Sequence, residues 1–376
     1  MTSVLADASA ALERAAPSEP VSAGLPGRIL PAGAAPAGPL PAGHPEVRQA
    51  KIGVLLLNLG TPEGTDYFSV RRYLREFLLD PRVIELPRSV WTPILYGVVL
   101  NTRPQRTGKN YAKIWDRERN ESPLRVITRA QGEKLAERLR DDNRLVVEWG
   151  MRYGTPSVAS AVKKLIDQGC DRILSFPLYP QYSATTTASA NDQLFRALMK
   201  LRHMPSVRTV PAYHDEPVYI EALARSVEEG LSKLSFEPEK VLASFHGIPK
   251  SYFLKGDPYH CHCQKTARLL AERLGWPEGR LMTTFQSRFG AQEWLQPYTD
   301  KTVEALAKGG TKRIAVLSPG FSADCIETLE EIDGENREIF LHHGGEDFAY
   351  LPCLNDTPGG MDVIETIARR ELQGWV

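Results

Sequence analysis

A single histidine stands where a parallel α/β fold would expose chemistry. His246 directly follows the apolar run at 241–245 and precedes Gly247. An imidazole at the end of a buried strand is suited to be a general base or a metal ligand that projects into a cleft. The alternative is a core histidine whose ring is bonded to a backbone carbonyl. Spacing alone favours neither interpretation.

A run of acids near the C-terminus is the second chemical signal. Asp324, Glu327 and Glu331 are spaced i, i+3 and i+7, which predicts one shared helix face. On such a face the carboxylates could pass on protons or cations. The alternative is a solvated helix side on which Asp324 complements the helix N-terminus, and this is the default interpretation for Glu330 and Glu331.

The string His260-Cys261-His262-Cys263 is the most metal-like local segment. Structural zinc sites, however, pair their cysteines at C-x₂₋₄-C spacing with a second pair elsewhere, and here the ligand types alternate singly. The favoured interpretation is the start of a helix that binds no metal, capped by Asp257 with Pro258 in the first turn. A bound metal or cluster is the minority interpretation.

These residues must be positioned by strands and helices that alternate along the chain from Lys51. Continuous apolar runs predict buried strands at 51–57, 145–149, 172–176, 241–245, 281–286 and 313–318. Helical periodicity predicts helices at 70–78, 130–140, 158–168, 220–234, 266–274 and 303–308. This rhythm predicts an α/β fold with parallel sheets and right-handed crossovers. Segments 171–177 and 312–319 resemble each other, as two related α/β domains would.

Composition excludes several classes of protein. The chain has 376 residues with 46 Lys+Arg and 46 Asp+Glu, so a nucleic-acid partner is not expected. No G-x-G-x-x-G motif or P-loop follows a predicted strand, which argues against dinucleotide and nucleoside-triphosphate chemistry. Five cysteines fit a reducing cytoplasm better than a disulfide scaffold. The apolar runs fall well short of the ~20 residues that a membrane span needs.

Residues 1–50 differ from the rest of the chain. They are rich in Ala, Pro and Gly and contain no Phe, Trp or Tyr. Such a segment buries too little apolar surface to offset its ordering entropy. We predict a disordered leader, and expect the folded protein to begin near Lys51.

Six segments carry a resemblance to a known family. They are LNLGTP at 57–62, RY at 152–153, YPQYS at 179–183, SFHGIP at 244–249, FQSRFG at 285–290 with Trp294, and FSADCIETLEE at 321–331. In this order they resemble the ferrochelatase family, of bacterial type. Its members insert ferrous iron into protoporphyrin IX to form protohaem, the last step of haem synthesis.

The resemblance implies a fold of two similar Rossmann-like (chelatase-type) domains with parallel sheets and a porphyrin cleft between them. We expect an N-terminal domain at 51–212 and a C-terminal domain at 213–356. A C-terminal helix at about 361–376 would pack on the N-terminal domain.

The resemblance also implies roles for individual residues. His246 and Glu327 are the expected catalytic residues and metal contacts, and the acidic line would continue through Glu331 toward Glu335. In some family members this helix is π-wound, which keeps positions four apart roughly aligned. The expected porphyrin-binding residues are Leu59, Tyr67, Arg152, Tyr153, Tyr182, Ser287 and Trp294. Further candidates for the propionates are Arg103, Lys109, Tyr111 and Ser122.

Ferrous iron is expected as a substrate, with no obligatory organic cofactor. The C-terminal cysteines that hold a [2Fe–2S] cluster in several family members are absent after Cys353. An internal cluster on Cys261 and Cys263 is disfavoured but stays open. An apolar lip at Trp91 and 93–96 would give peripheral membrane contact, and a buried helix is the alternative. The expected location is the cytoplasm. The finer expectation is peripheral attachment to the inner face of the membrane.

Three rival functions remain at this stage. A related chelatase could act on another tetrapyrrole, as in cobalt insertion during corrin synthesis. Coproporphyrin could replace protoporphyrin as the substrate. A non-catalytic haem or porphyrin carrier could use the same cleft, and it would not need Glu327.

Overall fold

The computed structural model describes residues 41–44, 49–290 and 292–376. The leader predicted for residues 1–50 lies almost entirely outside the described residues. Residues Lys51–Val376 form one compact unit. Among the residues described, no helix combines the length and apolar character needed to cross a bilayer.

The first sheet contains four parallel strands. They are β1 (Lys51–Gly60), β2 (Leu145–Tyr153), β3 (Cys170–Pro177) and β4 (Ser206–Thr209), in the spatial order β2-β1-β3-β4. Strand β1 pairs on both edges, so that Val54 lies opposite Val147 on one side and Leu174 on the other. A strand inside a covered parallel sheet must be apolar on both faces, which explains the uninterrupted apolar run in β1.

The second sheet repeats this arrangement. Strands β5 (Lys240–His246), β6 (Leu281–Gln286), β7 (Arg313–Leu317) and β8 (Asp347–Leu351) are parallel in the order β6-β5-β7-β8. The two segments that resemble each other in sequence contain β3 and β7, and these strands hold the same place in their sheets. The predicted α/β fold with two similar parallel sheets is therefore confirmed.

Twelve α-helices and three π-helices connect the strands within the described residues. The α-helices are α1 (Tyr67–Leu78), α2 (Arg88–Ile94), α3 (Leu100–Ile114), α4 (Pro123–Arg138), α5 (Val158–Asp167), α6 (Ser189–Leu198), α7 (Pro217–Ser232), α8 (Lys250–Leu254), α9 (Tyr259–Arg273), α10 (Thr299–Lys308), α11 (Arg337–His342) and α12 (Pro358–Leu372). The π-helices are Leu95–Val99, Ala184–Ala188 and Glu327–Asn336. Helix α4 begins earlier than predicted because Ser122 caps it and Pro123 suits its first turn.

One apolar core joins the two sheets. It includes Ile52 and Phe176 from the first sheet and Phe245 and Leu317 from the second. Helix α12 contributes Ile364 to the same core and packs against α4 and α7. The domain boundary at 212/213 and the assignment of the last helix to one domain stay predictions.

A close backbone approach joins the ends of β1 and β2. Gly60 has a φ of +106°, and a Cβ placed on it would lie 1.8 Å from the carbonyl oxygen of Tyr153. Only glycine fits this position, because any side chain would collide with the neighbouring strand. The contact brings the LNLGTP segment beside Arg152 and Tyr153.

Candidate functional site

His246 is the last residue of β5 and is partly buried. Its Nδ1 lies 2.6 Å from the carbonyl oxygen of Gly247. A carbonyl oxygen only accepts, so Nδ1 carries a proton, and in the neutral tautomer the lone pair is on Nε2. The carbonyl bond of the core-histidine alternative is thus present, and in the neutral ring it leaves Nε2 as an acceptor.

Trp294 forms a wall next to this histidine. It is buried, its indole N–H donates to Phe289 over 3.0 Å, and its ring contacts that of Phe289 at 4.8 Å between centroids. A Cβ on Gly247 would come within 3.2 Å of the indole. The indole therefore lies against the backbone that follows His246.

The predicted acidic segment is wound as the π-helix Glu327–Asn336. Glu331 is partly buried and accepts hydrogen bonds from the backbone N–H of Ser287 over 2.7 Å and from its hydroxyl. Burial raises the pKa of Glu331 to about 7, the Ser287 hydrogen bonds oppose that rise, and the charges of Glu327 and Glu335 add to it. These three carboxylates are therefore electrostatic neighbours, and the solvated interpretation of Glu331 is wrong.

Gln286 connects His246 to this helix. Its backbone pairs with His246 across β5 and β6, and its side-chain amide donates to the carbonyl oxygen of Glu327 over 2.7 Å. The side-chain Oε1 of Gln286 accepts from the Ser244 hydroxyl over 2.6 Å, which fixes the orientation of the amide. Sequence reasoning did not single out Gln286, although it lies inside the FQSRFG motif.

Glu327 lies in a small pocket lined by the end of β1, by helices and by the segment that follows β7. Leu59, Tyr73 and Tyr111 line it together with Glu327 itself. Burial raises the pKa of both tyrosines, and the negative charge of Glu327 adds to the effect. Both phenols therefore stay protonated beside the carboxylate. Tyr73 lies in the helix predicted at 70–78, and its helical spacing did not single it out as a pocket residue.

Asp324 does not belong to the carboxylate face. It precedes the helix, so the spacing argument does not apply to it, and its side chain is 6% exposed. It accepts hydrogen bonds from Tyr350 at 2.5 Å, Asn355 at 2.6 Å and Thr328 at 2.9 Å. The prediction that Asp324 shares a helix face with Glu327 and Glu331 is therefore wrong.

Glu330 points away from Glu327 and Glu331 and is also buried. Its carboxylate accepts from Lys113 over 2.6 Å and from Asn110 over 3.0 Å, both on α3. With 5% of the residue exposed, the solvated interpretation of Glu330 is wrong. This ion pair joins the π-helix Glu327–Asn336 to helix α3.

Arg152 and Tyr153 form a buried network around Asp80. Arg152 pairs with Asp80 and donates to Ser189 over 2.7 Å, while the Tyr153 hydroxyl donates to Asp80 over 2.8 Å. Burial alone would raise the pKa of Asp80, but hydrogen bonds from Ser189 and Tyr153 and the Arg152 charge outweigh burial and lower the pKa. The structure thus places both predicted ligand contacts inside the protein.

The remaining predicted contacts lie on several different elements of the fold. Leu59 is partly buried in the Glu327 pocket, and the Tyr67 hydroxyl donates to the carbonyl oxygen of Leu100 over 3.1 Å. Tyr182 is partly buried, while Ser122 is buried as the cap of α4. Arg103 and Lys109 are exposed, and Arg103 lies over the Phe289 ring at 5.6 Å.

A separate cavity of about 600 Å³ opens beyond Tyr73. Arginines at 72, 75, 88, 152 and 196 line it together with Thr61 and Tyr96. Thr61 and Tyr73 also line the Glu327 pocket, so the two cavities are adjacent. Neither His246 nor Glu327 lines the arginine-rich cavity.

The His-Cys string begins helix α9. Asp257 accepts from the Tyr259 N–H over 3.0 Å, as expected of a cap. Cys263 is fully buried, which raises the pKa of its thiol, while Cys261 is exposed. Within the described part of the chain, no three His, Cys, Asp or Glu side chains are grouped to hold a metal ion. The absence of an iron–sulfur cluster stays a prediction.

Comparison with known proteins decides the assignment. The family model described as Ferrochelatase matches residues 51–372. The chain belongs to the ferrochelatase family. A ferrochelatase of Mesorhizobium japonicum is 66% identical over 334 residues, 89% of this chain and 95% of the relative. A ferrochelatase of Allorhizobium ampelinum is 65% identical over 333 residues, with coverages of 89% and 97%.

The ferrochelatase resemblance is confirmed, and the chain is an enzyme that inserts iron into protoporphyrin in haem synthesis. A solved structure supports the fold alone. SirB from Bacillus subtilis with Fe³⁺ superimposes with a TM-score of 0.51 at 12% identity, covering 86% of this chain and 96% of that chain.

The Asp80 network predicts a large stability loss. Asp80→Asn leaves the Arg152 charge buried without its anion, so we expect the free energy of unfolding to fall by about 3–5 kcal/mol in urea titrations. Asp192→Asn is the control, because its partner Arg82 is exposed and such pairs contribute under about 1 kcal/mol. Equal, small losses in both variants would mean that Arg152 does not depend on Asp80.

The Ser287–Glu331 contact predicts a shifted titration. Because the folded pKa of Glu331 is raised from 4.5 to about 7, the stability linked to its protonation is complete below 4.5 and lost as pH rises through 7. Ser287→Ala removes a hydrogen bond to the carboxylate, so its titration should move to higher pH. Carboxyl ¹³C NMR, assigned with Glu331→Gln, measures this, and the exposed Ser160→Ala is the control. An unmoved titration would contradict the account.

Proposed function

We propose that metallation takes place where the ends of the two sheets meet, with His246 as first proton acceptor and Glu327 as its partner. The observation that carries this proposal is the position of Gln286, whose backbone pairs with His246 and whose side chain holds Glu327. The pocket at Glu327 is closed by Leu59 from the opposite sheet. A flat ring bound between the sheets would therefore meet both groups.

The chemistry requires two bases and an escort for the metal. Metallation removes two pyrrole N–H protons and exchanges the water ligands of Fe²⁺ for four ring nitrogens. The Nε2 lone pair of His246 suits the first proton and is also a good ligand for Fe²⁺. Glu327 supplies a carboxylate for the second proton or for the iron. We assign the metal contacts to these two residues and no step to an organic cofactor.

The π-helix offers a route to solvent. Glu327 lies in the pocket, Glu331 is partly buried, and Glu335 is exposed. With a pKa of about 7, Glu331 both accepts and releases protons at neutral pH. We propose that protons leave, and cations enter, along this line of carboxylates.

Ring distortion requires binding energy from the walls of the cleft. Leu59, Tyr67, Tyr182 and Trp294 are proposed as the walls, and exposed Arg103 and Lys109 as propionate partners. We propose that Arg152 and Tyr153 act indirectly, because their polar atoms are engaged by Asp80 inside the protein.

Peripheral membrane contact is proposed for the arm formed by α2 and the π-helix Leu95–Val99. Its exposed apolar side chains are Val90, Ile94, Tyr96 and Val98. Arg88 lies beside them and adds positive charge toward anionic lipids. The enzyme would work from the cytoplasm on the inner face of the membrane.

Replacing the two proposed bases tests the mechanism. In anaerobic iron-insertion assays with protoporphyrin, His246→Ala and Glu327→Gln should each lower kcat by about 10²-fold or more, as expected for lost acid–base catalysis. Porphyrin binding, measured by fluorescence, should persist. His342→Ala and Glu338→Gln make the same changes at exposed residues and serve as matched controls.

Near-full turnover of His246→Ala with porphyrin bound would remove that residue from the mechanism, and unchanged turnover of Glu327→Gln would do the same for the carboxylate. A wild-type enzyme that turns over coproporphyrin and not protoporphyrin would correct the substrate.

Flotation with liposomes tests the membrane arm. Val90→Ser combined with Val98→Ser should strongly reduce co-flotation with anionic vesicles, because it replaces the two most exposed of the four apolar side chains of the arm. Iron insertion into detergent-dispersed porphyrin should be retained. Met199→Ser and Leu254→Ser change similarly exposed apolar residues elsewhere and should float like the wild type. Flotation by the arm variant would contradict the assignment.

A further inference from the structure

The segment after β3 is held by helix α9 of the other half of the chain. The Gln181 side chain donates to the Thr266 hydroxyl over 3.0 Å, and that hydroxyl donates to the carbonyl oxygen of His214 over 2.7 Å. The backbone N–H of Tyr182 donates to Nδ1 of His262 over 3.2 Å. Two successive residues of the YPQYS motif are thus fixed from α9.

Asp257 holds the next two residues of the same segment. One carboxylate oxygen accepts from the Ser183 hydroxyl over 2.9 Å and from the Ala184 N–H over 2.8 Å. The other oxygen accepts from the N–H of Tyr259 at the start of α9. Asp257 and Ser183 are both buried, so solvent does not compete for these bonds.

His262 accepts from Tyr182 only while Nδ1 is unprotonated. Its ring stacks on His214 with centroids 3.7 Å apart and planes 6° from parallel. Burial lowers the pKa of His262, and it lowers the pKa of His214 to about 4. The positive charge of Lys265 also lowers both pKa values. The negative charge of Asp215 opposes the shift at both histidines, and that of Asp257 opposes it at His262. The neutral ring is therefore the form present at physiological pH.

We propose that His262 and Asp257 are positioning residues that hold Tyr182 against the porphyrin. The inference rests on the proposed function, in which Tyr182 is a wall of the cleft. It also assigns the His-Cys string a role other than metal binding, because His262 bonds the backbone of Tyr182 while Cys263 is buried in the core.

A double-mutant cycle on His262 and Tyr182 tests this. His262→Ala should raise the Kd for protoporphyrin, read from fluorescence quenching, by about tenfold, because a part-buried N–H loses its acceptor. The KM for Fe²⁺ should not change. His262→Asn, whose amide oxygen can replace Nδ1, should restore Kd to within about twofold. In a Tyr182→Ala background, His262→Ala should add nothing.

Cys261→Ala, on the exposed side of the same helical turn, is the control and should bind porphyrin like the wild type. If His262→Ala does not fold, Asp257→Asn provides the same measurement. Its amide has one accepting oxygen where the carboxylate has two, so it cannot accept from Ser183 and Ala184 and also from Tyr259. Independent effects of His262→Ala and Tyr182→Ala, or an equal loss in Cys261→Ala, would overturn the inference.

Failure of the proposed function is a separate result. A wild-type protein that shows the predicted coupling in porphyrin binding but inserts no iron would overturn the mechanism and keep the positioning roles. Loss of turnover in His246→Ala together with an unchanged Kd in His262→Ala would keep the mechanism and overturn the positioning roles.

Discussion

The hydrogen bonds that Gln286 and Ser287 donate to the π-helix determine where its carboxylates stand. Gln286 ends β6 and holds the backbone at Glu327, and Ser287, the next residue, holds the side chain of Glu331. Because Gln286 is also paired with His246, the imidazole and the carboxylates share one rigid support. The geometry of the site therefore follows from the end of one parallel strand pair.

Buried acids in this region differ in their partners. Asp80 is matched by Arg152 and Glu330 by Lys113, so both carboxylates are neutralised inside the protein. Asp324 is held by neutral donors at the start of the acidic segment. Among the described residues, the Glu331 carboxylate accepts hydrogen bonds from Ser287 and forms no ion pair, and burial raises its pKa to about 7.

Much of the architecture was predictable because parallel sheets require continuous apolar strands, and β1 and β5 showed them clearly. The position of His246 at the end of β5 was predictable for the same reason, and ligands bind beyond the ends of such strands. The contacts of the Asp324 side chain were not predictable, because they depend on the residue at which the π-helix begins. The burial of Glu330 depends on Lys113, which lies 217 positions away. Gln286 acts through its backbone pairing, which has no signature in a single sequence.

The central claim is that porphyrin lies between His246 and the Glu327 pocket. A crystal structure of the protein with protoporphyrin bound tests it most directly. The account predicts pyrrole nitrogens within reach of His246 Nε2 and of the Glu327 carboxylate, with Tyr182 and Trp294 in contact with the ring. A ring seated in the arginine-lined cavity beyond Tyr73, where neither His246 nor Glu327 can touch it, would contradict the account.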